Sequence, residues 1–116
     1  MVDTVKNSSG EVASKASTIP LANPIASDVA GRVAKILEGV VKRGTGVDAN
    51  IPGITIAGKT GTAEKGGDRV DSWFVGFAND GKGGSDVIAI VLEDSTDAPA
   101  HANSVLKLAL QKQGRL

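Results

Sequence analysis

The chain has 116 residues, enough for one hydrophobic core and no more than one domain. Lys plus Arg and Asp plus Glu number 13 each, so no net field draws the chain to nucleic acid or to an anionic membrane. Cysteine is absent, which excludes disulfides and thiolate metal sites, and no run reaches the ~20 apolar residues that span a bilayer.

The N-terminal segment is polar from Asp3 onward and has no signal-peptide core, so the chain reads as soluble. "MVDTVKN" and "EVASK" flank the turn "SSG" and predict a β-hairpin. "STIPLANPIAS", with two prolines, predicts an extended connector. A helix follows. Ser27 is placed to cap its free amides, and Asp28 complements the dipole there. Val29, Val33, Ile36, Leu37 and Val40 recur at helical spacing and form a packing stripe. Lys42 and Arg43 close the helix, and Gly44 is expected to stop it in the left-handed conformation.

Three β-rich runs come next: "ITIAGKT", "DSWFVGFA" and "DVIAIVLE". Their links, "EKGGDR" and "NDGKGGS", are short and glycine-rich, which predicts antiparallel hairpins. Parallel pairing would need a dozen or more residues per crossover. Trp73, Val75 and Phe77 alternate and are assigned to the core. In the last run both alternating sets are apolar, Val87, Ala89, Val91 and Ile88, Ile90, Leu92, so both faces are expected to be covered. A final helix is predicted over Pro99 to Lys112, with Ala102, Val105, Leu106, Ala109 and Leu110 inward. The fold class is α+β: three C-terminal antiparallel strands plus an N-terminal hairpin, with packing helices.

One stretch admits two chemistries. Gly53 to Thr60 fits the phosphate-loop pattern GxxxxGK[ST], and Lys59-Thr60-Gly61 is also a KTG triplet. A phosphate loop needs a supple loop between its glycines and a helix starting near the lysine. Here the four variable positions, Ile54 to Ala57, are strand-formers, and "TGTAEKGGDR" opens no helix. "VIAIVLED" resembles a magnesium-holding strand end, but any buried strand before a polar loop gives that pattern. Nucleotide binding is therefore the weakest reading.

"KTGTAE", then "WFVGFA", with "GTG" about a dozen residues upstream, resembles the transpeptidase domain of high-molecular-mass penicillin-binding proteins, serine acyl-transferases that cross-link peptidoglycan. The resemblance covers nearly the whole chain and implies that residues 1–116 are a single partial domain, the C-terminal portion of a β-lactamase/transpeptidase-like fold. It implies that Lys59 stands beside the nucleophile's hydroxyl network and attracts the substrate's terminal carboxylate. Thr60 would donate its hydroxyl to that carboxylate, and Gly61 would leave room for the peptide backbone. Thr62 would offer its amide to the oxyanion hole and its hydroxyl to substrate. A stem peptide or β-lactam would lie along the strand as an added strand. No cofactor or metal is implied. The parent protein is expected at the extracytoplasmic face of a bacterial membrane.

The family's motifs run SxxK, SxN, KTG in order. No SxN occurs, and the one SxxK, Ser104 to Lys107, follows KTG inside the final helix as a chance match. The chain is thus expected to lack the nucleophile, to need the missing N-terminal half, and to be inactive alone. The alternative is a folded remnant or interaction module that self-associates through an exposed strand edge. Asn79 stands where the family has proline, a departure confined to a turn. His101 is assigned to an exposed first turn and Glu93 with Asp94 to a solvated edge. Lys65, Arg69, Asp80 and Lys82 are assigned to turns without special roles.

Overall fold

A computed structural model describes residues 4–15 and 24–116. Strands β1 (Thr4–Lys6) and β2 (Val12–Lys15) pair antiparallel, as expected for the first hairpin. The turn is held by Asn7, whose Oδ1 accepts the amides of Ser9 and Glu11. Most of the predicted connector lies outside the described residues.

Helix α1 (Ser27–Arg43) has Asp28 in its first turn and Lys42 and Arg43 in its last. Ser27 does not cap it: the cap position is Ala26, and Ser27 is already helical. Gly44 is not left-handed either, with φ −112° and ψ −157°. Glycine is needed there for room, since a Cβ would stand 2.9 Å from the carbonyl oxygen of Val40. A single 3-10 turn, Val47–Ala49, then leads into the sheet.

Strands β3 (Thr55–Glu64), β4 (Val70–Asn79) and β5 (Ser85–Leu92) form one antiparallel sheet in the order β3-β4-β5. "GKTGTAE" lies wholly within β3 and opens no helix, which removes the phosphate-loop reading. Helix α2 (Ala98–Lys112) packs on one face of this sheet. Paired residues share a face, so the register assigns the sides. Phe74, Ala78, Ile56 and Ile88 lie buried with Ala98, Ala102, Leu106 and Leu110 of α2.

The core is therefore not the Trp73 set. Trp73 and Val75 are 44% and 46% exposed, and Val87 is 85% exposed. Helix α2 covers the Phe74 side, and the Trp73 side is covered only in part, at Ala57 and Phe77, where α1 approaches β3. For the same reason Val87, Ala89 and Val91 are open, and only Ile88, Ile90 and Leu92 are covered or half-covered. Val105 is also exposed, on the outer side of α2. The stripe on α1 is only partly used: Val29, Val33 and Ile36 are exposed, and Val41 is the helix's fully buried residue. Phe77, half-buried, joins Ile25, Val29, Val33 and Leu37 in an apolar groove.

A polar cluster fastens one end of the sheet. Arg115, just past α2, pairs with Asp80 at 2.6 Å and also with Asp86, clamping the C-terminal end of α2 to the β4–β5 hairpin. The carboxylate of Asp80 further accepts the amides of Lys82 and Gly84. Its pKa is lowered to about 2, chiefly by the Arg115 guanidinium. Asp80 is thus a structural residue, not a plain turn position. Asn79 starts the same turn by accepting the amide of Gly81, a contact that proline could not make.

Candidate active site

The KTG segment sits on β3, an edge of the sheet. Alternation sends its neighbours to opposite sides. Lys59 pairs with Val75 and so shares the open face, whereas Thr60 pairs with Phe74 and shares the covered one. The ammonium of Lys59 donates to the carbonyl of Thr60 at 2.7 Å.

Thr60, Gly61 and Thr62 line a crevice of about 170 Å³. β4 contributes Ser72 and Trp73, the loop after α1 contributes Thr45, the loop before α2 contributes Thr96, and the first turn of α2 contributes Pro99. The lining carries hydroxyls on five side chains and no charge. Lys59 is not among the lining residues. Three of the four residues singled out by sequence therefore meet in one crevice, while the fourth emerges on the other side of the strand.

The crevice is built by residues that sequence reasoning did not single out. The hydroxyls of Thr45 and Thr60 lie 2.7 Å apart. Ser72 is buried, and its hydroxyl accepts the amide of Ala98 at 3.0 Å. It thereby satisfies a free donor at the start of α2, where the side chain of the cap residue, Asp97, bonds none of the helix amides and instead accepts from the Thr96 hydroxyl. Phe74 sits under the site. A Cβ at Gly58 would lie 2.4 Å from its ring, and one at Gly46 would lie 3.4 Å from it.

The loop from β5 to α2, which carries Thr96, is tied to the start of β4. The amide of Ser95 donates to the carbonyl of Val70, and that of Asp94 to the carboxylate of Asp71. Lys65 bridges Asp71 at 3.1 Å and Asp94 at 3.6 Å, with Arg69 beyond. Asp71 is held below the usual carboxylate range, first by the Asp94 amide, and Lys65 is raised by its bond to Asp71. Lys65, Arg69 and Asp94 thus form a surface network rather than unrelated turn and edge positions.

His101 is exposed in the first turn of α2, as expected. Ser104 and Lys107 are exposed on α2, and the Ser104 hydroxyl donates to the Ala100 carbonyl. Among the described residues no group of three or more His, Cys, Asp or Glu is arranged to hold a metal ion.

The family model described as "Penicillin binding protein transpeptidase domain" matches residues 1–111. A D,D-transpeptidase domain of a peptidoglycan glycosyltransferase from Eggerthella lenta is 48% identical, with a TM-score of 0.76, over 98% of this chain and 27% of that one. A putative peptidoglycan glycosyltransferase from Atopobium parvulum is 28% identical, with a TM-score of 0.68, over 89% of this chain and 26% of that one. Penicillin-binding protein A from M. tuberculosis, solved as an imipenem acyl-enzyme complex, is 26% identical, with a TM-score of 0.62, over 93% of this chain and 25% of that one. No curated protein matches the chain. The chain spans about a quarter of the length of these solved structures. The match over residues 1–111 decides the family: the chain belongs to the penicillin-binding protein transpeptidase domains.

Proposed function

We propose that this chain supplies the KTG strand of a serine D,D-transpeptidase that cross-links peptidoglycan and is acylated by β-lactams. The observation that carries the reading is the crevice formed by Thr60, Gly61 and Thr62 at an edge of the sheet. A peptide laid along β3 gains main-chain hydrogen bonds there, and its terminal carboxylate meets the Thr60 and Thr62 hydroxyls. The Thr62 amide serves the oxyanion hole, and Gly61 keeps the strand surface low for the peptide backbone. Lys59, on the other face, directs its ammonium toward the hydroxyl network of the nucleophile, which another segment contributes.

The nucleophile's SxxK and the SxN motif do not occur at the expected positions in these 116 residues, so the chain is not competent alone. Its partner is the remainder of the transpeptidase domain, seated on the open face around Val75 and on the α1 groove. The parent protein acts on the extracytoplasmic face of a bacterial membrane. The acyl-enzyme of the M. tuberculosis relative supports the β-lactam part of this reading.

The test is reconstitution. The chain is mixed with a polypeptide carrying the SxxK and SxN portion of such a domain and treated with a fluorescent penicillin. Labelling of the other polypeptide that requires this chain, and that Lys59→Ala abolishes, is the expected result. Labelling indifferent to Lys59→Ala and Thr60→Val overturns the assignment. A second reading, a self-associating module without turnover, is favoured by the exposure of Trp73, Val75, Val87 and Val91 on one sheet face.

A further inference from the structure

Thr45 stands between two glycines, and both of their amides donate to a single acceptor. Gly44 N–H reaches the Val40 carbonyl at 3.0 Å and Gly46 N–H reaches it at 3.1 Å. The loop is therefore folded hard against the last turn of α1. A Cβ at Gly44 would meet the Val40 oxygen at 2.9 Å, and one at Gly46 would meet both Val40 and the Phe74 ring at 3.4 Å. Phe74 is in turn the cross-strand partner of Thr60. The loop is thus referenced to the same ring that lies opposite Thr60, and the Thr45 hydroxyl ends 2.7 Å from that of Thr60.

We infer that Thr45 is a positioning residue for Thr60, and that the two hydroxyls form a relay for an anionic terminus in the crevice; this rests on the reading of β3 given above. A hydroxyl has one proton to donate and lone pairs to accept with. When a carboxylate enters, Thr60 donates its proton to the anion and accepts from Thr45. Donation from Thr45 polarises the Thr60 hydroxyl and strengthens its bond to the charge. It also holds Thr60 in one rotamer, so the carboxylate meets a group already aimed at it. The crevice lining carries no cationic side chain, so this direction of donation is what adapts it to an anion. A neutral carboxamide, which brings its own donors, loses that advantage.

Three isotope-labelled forms of the 116-residue chain test this: wild type, Thr45→Val, which keeps the shape and removes the hydroxyl, and Thr45→Ser, which restores it. Three-bond couplings from the Thr60 methyl carbon to its backbone nitrogen and carbonyl report the Thr60 rotamer. Amide shifts of residues 60–62 report titration with N-acetyl-D-alanyl-D-alanine and with its C-terminal carboxamide. Wild type and Thr45→Ser are expected to hold one Thr60 rotamer and to prefer the acid. Thr45→Val is expected to average rotamers and to bind the acid up to about tenfold more weakly, the upper end of the loss that goes with one neutral hydrogen bond. A Thr45→Val chain with a fixed Thr60 rotamer and undiminished preference for the acid overturns the positioning role alone. A wild-type chain indifferent between acid and carboxamide overturns the carboxylate reading of β3 itself, and this inference with it.

Discussion

The ring of Phe74 lies so close to Gly58 that a Cβ on Gly58 would stand 2.4 Å from its Cζ and 2.9 Å from the Val75 carbonyl oxygen. The ring is fully buried, so it has nowhere to retreat. Gly58→Ala should destabilise the fold by about 1–3 kcal/mol through overpacking. Gly31→Ala is the control. Gly31 lies in α1 with nothing within 4 Å of the added carbon, and it should stabilise by about 0.5–1 kcal/mol. Urea denaturation of both variants measures this, and a neutral Gly58→Ala would contradict the packing described.

Removing the Ser72 hydroxyl strands the Ala98 amide at the buried start of α2. Ser72→Ala should cost about 1–3 kcal/mol, the penalty for a buried unsatisfied donor. Hydrogen exchange locates the damage. The Ala98 amide should exchange faster, while amides at the other end of α2 change only with global stability.

Acid should weaken the clamp between Asp80 and Arg115. The folded pKa of Asp80 is about 2, below the ordinary carboxylate value. Its contribution is therefore complete above that ordinary value and is lost as pH falls toward 2. Asp80→Asn should flatten the fall in melting temperature over this window. Some slope should remain, because Asp71 is lowered as well. Melting curves from pH 2 to 6 give the comparison, and identical slopes for both proteins would refute it.

With no SxxK ahead of KTG, incubation with excess penicillin should leave the intact mass of the chain unchanged. A stoichiometric adduct would overturn this. An adduct on Ser104 would make that exposed serine a nucleophile after all.

The open sheet face should drive association. Trp73, Val75, Val87 and Val91 leave apolar area exposed beside the α1 groove, and covering it is favourable by about 25 cal/mol per Å². Light scattering across a dilution series should detect oligomers that Val87→Lys weakens. A strictly monomeric wild type at high concentration would show that this face stays wet.

The elements were legible because their signals are local. Period-two runs separated by glycine-rich links give the three strands, and the spacing of Ala102, Leu106 and Leu110 gives α2. The sidedness of β4 was not legible. Alternation says that Trp73, Val75 and Phe77 go together, and that Ser72, Phe74 and Ala78 go together, but not which set meets the helix. The missed signal is a pair of glycines. Gly58 and Gly76 are cross-strand partners on the Phe74 side, and both are crowded by that ring. Two facing glycines in a sheet mark where a large neighbour lies. In the crevice, Thr60, Gly61 and Thr62 come from one short motif. Thr45, Ser72 and Thr96 come from three separate segments and meet only once the chain has folded.

A β-strand is one residue thick, and β3 is a partition. On one side stands Lys59, whose proposed work depends on whatever covers the open face. On the other stands Thr60, in a crevice lined by residues of this chain. On the proposed reading, Lys59 and Thr60 therefore answer to different parts of the domain. Selection that alters how the site holds an anionic terminus should accumulate changes at positions 45, 60 and 96, inside this chain. Selection on proton transfer at position 59 should draw its compensating changes from outside it.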